Sequence, residues 1–262
     1  SGLEQGAEDN HVHLNLVSTG TFQNAQEEHT IVKRELDGEA DGVIIEPYSS
    51  EADVILPTES AKPVVLVETG IETDRLFTSV MTDHGKLGKS LADAVIQDKA
   101  VKVGILSGNQ SQLGMRQRLK SVKDNLAEAG IDISWILSEK ELDKKMRNVE
   151  YFTENPVDAV ISLENDDTEK AVDIILNHDS ISWKLYGEGR SEKLIYYLDK
   201  GTIQELAVPN EYYMGYQSIV LAAQNIRYYT DKTERADVEF YMVSKDNLYA
   251  EETSRILFPT VR

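Results

Sequence analysis

Apolar positions along this chain follow two alternating rhythms. Short apolar runs bounded by Gly, Pro, Asn or Asp have the length and punctuation of strands buried in a sheet. They fall at 11–17, 41–47, 63–67, 77–81, 101–106, 133–137, 158–163, 183–186, 203–208 and 238–243. Between them, apolar residues recur every three or four positions, the spacing of one helical face. Residues 3–10 read as the end of a helix, and 24–38 as an amphipathic helix with Ala25, His29, Val32 and Leu36 on one face. Further helices are expected at 86–98, 115–129, 139–152, 168–176, 191–198 and 212–228, with a short helix or turn at 50–61 and an irregular tail after 243. Strands alternating with helical patterns predict an α/β protein, and two comparable sets predict two lobes, each a parallel sheet flanked by helices.

The unit at 101–131 is the most legible. Val103, Ile105 and Leu106 lead into Ser107-Gly108-Asn109, after which Met115, Leu119, Val122, Leu126 and Ala129 mark one helical face that Gly130 ends. Arg118 is out of place on the flank of that face. A guanidinium there is either a structural tie between loops or a fork aimed at a ligand.

Composition narrows the function. With 27 Lys and Arg against 46 Asp and Glu, the net charge of −19 argues against nucleic acid and against an anionic membrane surface. No apolar run approaches the roughly 18 residues that a membrane helix needs. Zero cysteines leave no disulfide, thiolate metal site or cysteine nucleophile, a usage that fits an extracytoplasmic protein. Ser1-Gly2 resembles a processing or tag scar.

Motifs of catalysis are missing: no phosphate loop, no dinucleotide glycine fingerprint, no HExxH and no GxSxG elbow. His11 and His13 share a strand face but have no third metal ligand. Asp83 and His84 read as an acid-base couple or, more simply, as turn and capping residues before a helix. Asn165-Asp166-Asp167 resembles half of a calcium loop without its Gly and distal Glu, and so reads as helix capping. Open parallel sheets bind ligands beyond the carboxyl ends of their strands. The residues beyond the strand ends here are polar: Glu46, Tyr48, Glu68, Thr69, Asp83, Asn109, Glu164, Asn165 and Glu188. Carboxylates, amides and one arginine, with Tyr48 as an apolar wall, suit a neutral polyhydroxylated ligand, because each hydroxyl both donates and accepts. For each member, a cap or loop tie is the competing reading.

Taken together these pieces resemble a family, the type I periplasmic binding proteins, in the sugar-binding branch shared with the effector domains of LacI-type regulators. The resemblance rests on residues 2–7, 41–47 and 82–88, on Arg118 with 126–131, and on 158–166, 186–189, 209–216 and 243–247, in this order and spacing. It implies two lobes, 1–99 plus 210–241 and 100–209 plus 242–262, joined by a three-crossing hinge with the ligand cleft between them. It also implies ligand contacts from Tyr48, Glu68, Asp83 and Asn210 in the first lobe and from Arg118, Asn165 and Glu188 in the second. The family's first strand is absent, and Pro209 stands where many members carry Gln, so ligand identity does not carry over. The expectation is an extracytoplasmic protein, periplasmic or a cell-surface lipoprotein, that binds a sugar or polyol and delivers it to an ABC transporter permease. It would catalyse no reaction and need no metal or cofactor. The same fold also serves as the extracellular sensor domain of receptors and as the effector domain of transcription regulators. A sheet edge left open by the missing strand would allow a homodimer.

Overall fold

The computed structural model describes residues 1–17, 25–51, 62–228 and 233–258. The chain folds as two compact units. Unit 1 comprises Ser1–Asp83, Ser111–Gly114 and Asn210–Glu239, and unit 2 comprises His84–Gln110, Met115–Pro209 and Phe240–Arg262. The described strands are β1 (Val43–Ile45), β2 (Val64–Glu68), β3 (Thr78–Thr82), β4 (Lys102–Leu106), β5 (Asp132–Leu137), β6 (Ala159–Ser162), β7 (Lys184–Glu188), β8 (Ile203–Pro209), β9 (Arg235–Val238) and β10 (Phe240–Ser244). The described helices are α1 (Gly2–Asp9), α2 (Ala25–Asp37), α3 (His84–Gln97), α4 (Leu113–Glu128), α5 (Glu139–Met146), α6 (Glu150–Glu154), α7 (Asn165–Asn177), α8 (Glu192–Lys200), α9 (Glu211–Tyr228) and α10 (Glu251–Leu257). None of them is long and apolar enough to cross a membrane.

Unit 1 is a parallel sheet in the order β1-β2-β3-β9. Successive residues of β2 point to opposite faces. Val65 joins Val80, Val238 and α9 residues Met214 and Leu221 in one core, and Leu66 joins α2 residues Val32 and Leu36 in the other. α1 lies on α9 with a glycine at the contact. A Cβ on Gly2 would stand 1.9 Å from the Tyr212 carbonyl oxygen, so only glycine permits that approach.

Unit 2 is a sheet in the order β10-β8-β7-β6-β4-β5, parallel except for β10, which runs antiparallel to β8. One face packs against α5 to α8 and α10 around the tilted rings of Trp135, Phe152 and Trp183. The other buries Leu87, Leu91 and Val95 of α3 and Val122 and Leu126 of α4 on Val103, Ile105 and Ile161.

Several expectations are corrected. Residues 11–17 form no strand; their alternation is real, but no described strand pairs with them, and Leu16 is 66% exposed. The helix expected over 139–152 breaks at Arg147 to Val149 into α5 and α6. The single strand expected over 238–243 is two, because Glu239 separates β9 in one unit from β10 in the other. The tail is not irregular throughout: α10 buries Ile256 and Leu257 in the unit 2 core. The unit boundary falls between Asp83 and His84, where 99/100 was expected, because α3 packs on β6, β7 and β8. Most of the short element expected at 50–61 lies outside the described residues.

Candidate functional site

In unit 2, Arg118 is one of the largest wholly buried side chains, 1% exposed. It can be so because α3 and α4 touch at a glycine. A Cβ on Gly88 would meet the Arg118 carbonyl oxygen at 2.5 Å, so any larger residue would push the helices apart. Burying a guanidinium requires that its donors be met. Nε donates to His84 Nδ1 at 2.9 Å, and Nη1 donates to the Leu163 carbonyl at 2.8 Å. Nη1 also lies 3.6 Å from Glu188 Oε2, and that carboxylate is nearly as buried. Three elements thus converge on one fork: the start of α3, the loop after β6 and the end of β7.

Glu188 is fixed through its backbone as well. The Thr168 hydroxyl lies 2.8 Å from both the Glu188 and the Glu164 carbonyl oxygens. Gly187 makes room, since a Cβ there would stand 2.6 Å from Thr168 Cγ2. Asn165 serves the following loop: its Oδ1 accepts from the Arg190 N–H at 3.2 Å and the Ser191 N–H at 3.4 Å. Its amide nitrogen donates towards Asp166 at 3.2 Å and Glu169 at 3.4 Å. The structure therefore brings Arg118 and Glu188 together and ties Asn165 to the loop after Glu188.

Beside this group lies an acidic clamp on the loop after β4. Glu164 Oε2 accepts the Asn109 N–H at 3.2 Å. Gly108, at φ +63, passes so close to that carboxylate that a Cβ would meet it at 2.6 Å. Burial, reinforced by the charges of Asp167 and Glu139, pushes the Glu164 carboxyl up to about 7. Burial likewise pushes Asp167 up to about 6, although Lys170, 3.5 Å away, pulls the other way.

Unit 1 positions its candidates differently. The Tyr48 N–H donates to Glu28 Oε1 at 2.8 Å. Glu28 is 0% exposed, and burial raises its carboxyl despite the Tyr48 and Ser49 amides that it accepts. Glu68, at the end of β2, has φ +60 and is spanned by a tight turn in which the Thr69 N–H donates to the Val67 carbonyl at 2.7 Å. A non-glycine residue there is strained, and such strain collects at functional positions. The Thr82 hydroxyl donates to Glu68 Oε2 at 3.1 Å, and the Thr69 hydroxyl accepts the Gly114 N–H at 2.8 Å. Asp83 lies just after β3 and is exposed. Asn210 caps α9, its Oδ1 accepting the Tyr213 N–H at 3.0 Å.

Periodicity misses Glu28 and the role of His84. A signal for Glu28 is present, since Glu28, Val32 and Leu36 are spaced by four and share a helical row. Adjacency in the sequence couples His84 to Asp83, whereas in the fold its ring accepts from Arg118, thirty-four residues on. Among the described residues no group of three or more His, Cys, Asp or Glu side chains is placed to hold a metal ion.

Residues 1–229 match the family model described as periplasmic binding protein domain. Among solved structures, the chain is similar to a carbohydrate transporter solute-binding protein from Agrobacterium radiobacter in complex with D-arabinose. The TM-score is 0.88 at 18% identity, over 98% of this chain and 92% of that one. It is similar to a glucose-galactose binding protein from Geobacillus stearothermophilus, with TM-score 0.82 and 21% identity over 95% and 91% of the two chains. It is also similar to the Caulobacter myo-inositol binding protein bound to myo-inositol, with TM-score 0.84 and 19% identity over 97% and 90%. No curated protein matches the chain.

Proposed function

The chain belongs to the periplasmic binding protein domain family, and on that footing we propose that it is the solute-binding component of an ABC transporter, taking up a sugar or polyol. The observation that carries this reading is the buried Arg118–Glu188 pair at the carboxyl end of β7. A guanidinium donates and a carboxylate accepts, so one hydroxyl, or two on adjacent carbons, satisfies both at once. Asn165 adds an amide close to the same strand end, and Tyr48, Glu68, Asp83 and Asn210 are the contributions we propose from unit 1. The sugars and the cyclitol of the three solved relatives support the ligand class. The protein works outside the cytoplasm and catalyses no reaction; its ligand-bound form is what the membrane permease recognises.

A thermal-shift screen tests this. D-arabinose, D-galactose, D-glucose and myo-inositol are added at millimolar concentration. A true ligand at 100 times its dissociation constant stabilises the fold by about 2.7 kcal/mol, enough to move the melting temperature by several degrees. At least one is expected to do so, and Arg118→Lys, which keeps the charge but loses the planar fork, is expected to reduce the shift. A shift that survives intact in that variant would remove Arg118 from the site.

A further inference from the structure

We propose that His84 is a positioning residue: by accepting the Nε–H of Arg118, it sets the plane in which the guanidinium meets ligand hydroxyls. The inference rests on the reading that Arg118 contacts the ligand, and goes beyond it by assigning what aims the fork. Arg118 has five N–H donors and no acceptor, so the bond at 2.9 Å has one possible direction. The imidazole must present a bare Nδ1 and carry its proton on Nε2. His84, 4% exposed, is the first residue of α3, and the contact at Gly88, one turn later, locks that helix against the Arg118 backbone. The guanidinium is thereby anchored at Nε by His84 and at Nη1 by the Leu163 carbonyl, two points that fix its plane. The Leu163 carbonyl and Glu188 both engage Nη1, so of these three contacts it is the one to His84 that holds the guanidinium at a second atom.

The test compares His84→Asn, whose side-chain oxygen falls near the place of Nδ1, with His84→Leu, which fills space without an acceptor. Binding is measured by calorimetry with whichever of D-arabinose, D-galactose, D-glucose and myo-inositol binds the wild-type chain most tightly, alongside Arg118→Ala. His84→Leu is expected to weaken binding at least ~10-fold, and His84→Asn to stay within ~3-fold of wild type. If Arg118→Ala loses binding and His84→Leu does not, this inference is wrong and the site stands. If neither changes affinity, the site itself is misassigned. Equal losses in His84→Asn and His84→Leu would mean that the acceptor is not what matters. Nitrogen-15 NMR of the histidine rings in the wild-type chain needs no variant: a proton on Nε2 is expected for His84, and a proton on Nδ1 would overturn the proposal.

Discussion

The two units place polar side chains at the ends of parallel strands and hold them by opposite means. In unit 2 the anchor is a side chain, the buried Arg118 fork held by His84 Nδ1 and the Leu163 carbonyl beside the Glu188 carboxylate. In unit 1 the anchors act on backbone. Glu28 takes the Tyr48 amide, and a turn at φ +60 presents Glu68. A side-chain fork concentrates its energy in one residue, whereas backbone anchors spread it over a loop. Unit 2 should therefore fail sharply on single substitutions, and unit 1 should loosen by degrees.

The largest expected effect is Arg118→Ala. It removes the buried charge facing Glu188 and the donor to His84 and to the Leu163 carbonyl, and should cost unit 2 about 3 kcal/mol in urea unfolding. A loss under about 1 kcal/mol would erase the contrast between the units.

The next is a pH dependence whose largest source lies in unit 2, the raised Glu28 carboxyl of unit 1 acting in the same sense. Glu164, raised from 4.5 to about 7, binds more protons folded than unfolded between those values. Its burial therefore costs nothing below about 4.5 and costs progressively more as pH rises through 7, and Asp167 acts in the same sense. Stability should fall by roughly 2 kcal/mol from pH 5.5 to 8, discounted for the coupling of the two carboxyls. Glu164→Gln should flatten that slope, and a variant with the wild-type slope would dismiss the clamp as its source.

In unit 1, Glu28→Ala leaves the Tyr48 and Ser49 amides without their buried acceptor, at about 1–2 kcal/mol. Glu28→Gln, which keeps an acceptor in a place that already disfavours charge, should stay within about 0.5 kcal/mol of wild type. Equal losses in both would mean that the backbone anchor is not what holds the Tyr48 loop. The smallest effect has the opposite sign. Glu68→Gly relieves a left-handed backbone and should stabilise by about 0.5 kcal/mol, while any ligand contact of Glu68 is lost. Affinity falling as stability rises would identify strain kept for function.

Much of this is legible from periodicity. The strands beyond residue 40 and the polar residues at their ends emerge from apolar runs and punctuation, and Arg118 stands out as a charge beside a buried face. The features that stay hidden depend on tertiary partners. Glu28 shares a helical row with Val32 and Leu36, but that spacing does not say what its carboxylate binds, and it is the packing of α2 on its sheet that buries Glu28 while Glu27 stays exposed. Residues 11–17 alternate like a strand, but alternation cannot supply a neighbour to pair with. The helical pattern of α3 does not say which sheet it covers. The strand ending at Val243 looks continuous because apolar residues run through Glu239, although β9 and β10 serve different sheets.

The central claim, that a neutral polyhydroxylated ligand is held at Arg118 and Glu188, is tested most directly by calorimetry with Glu188→Gln. This change keeps the size of the side chain and removes the charged acceptor. The wild-type chain should bind one of D-arabinose, D-galactose, D-glucose or myo-inositol one to one, and Glu188→Gln, still folded at the assay temperature, should weaken that binding at least ~10-fold. Wild-type affinity in Glu188→Gln, or no heat from any of the four with the wild-type chain, would contradict it.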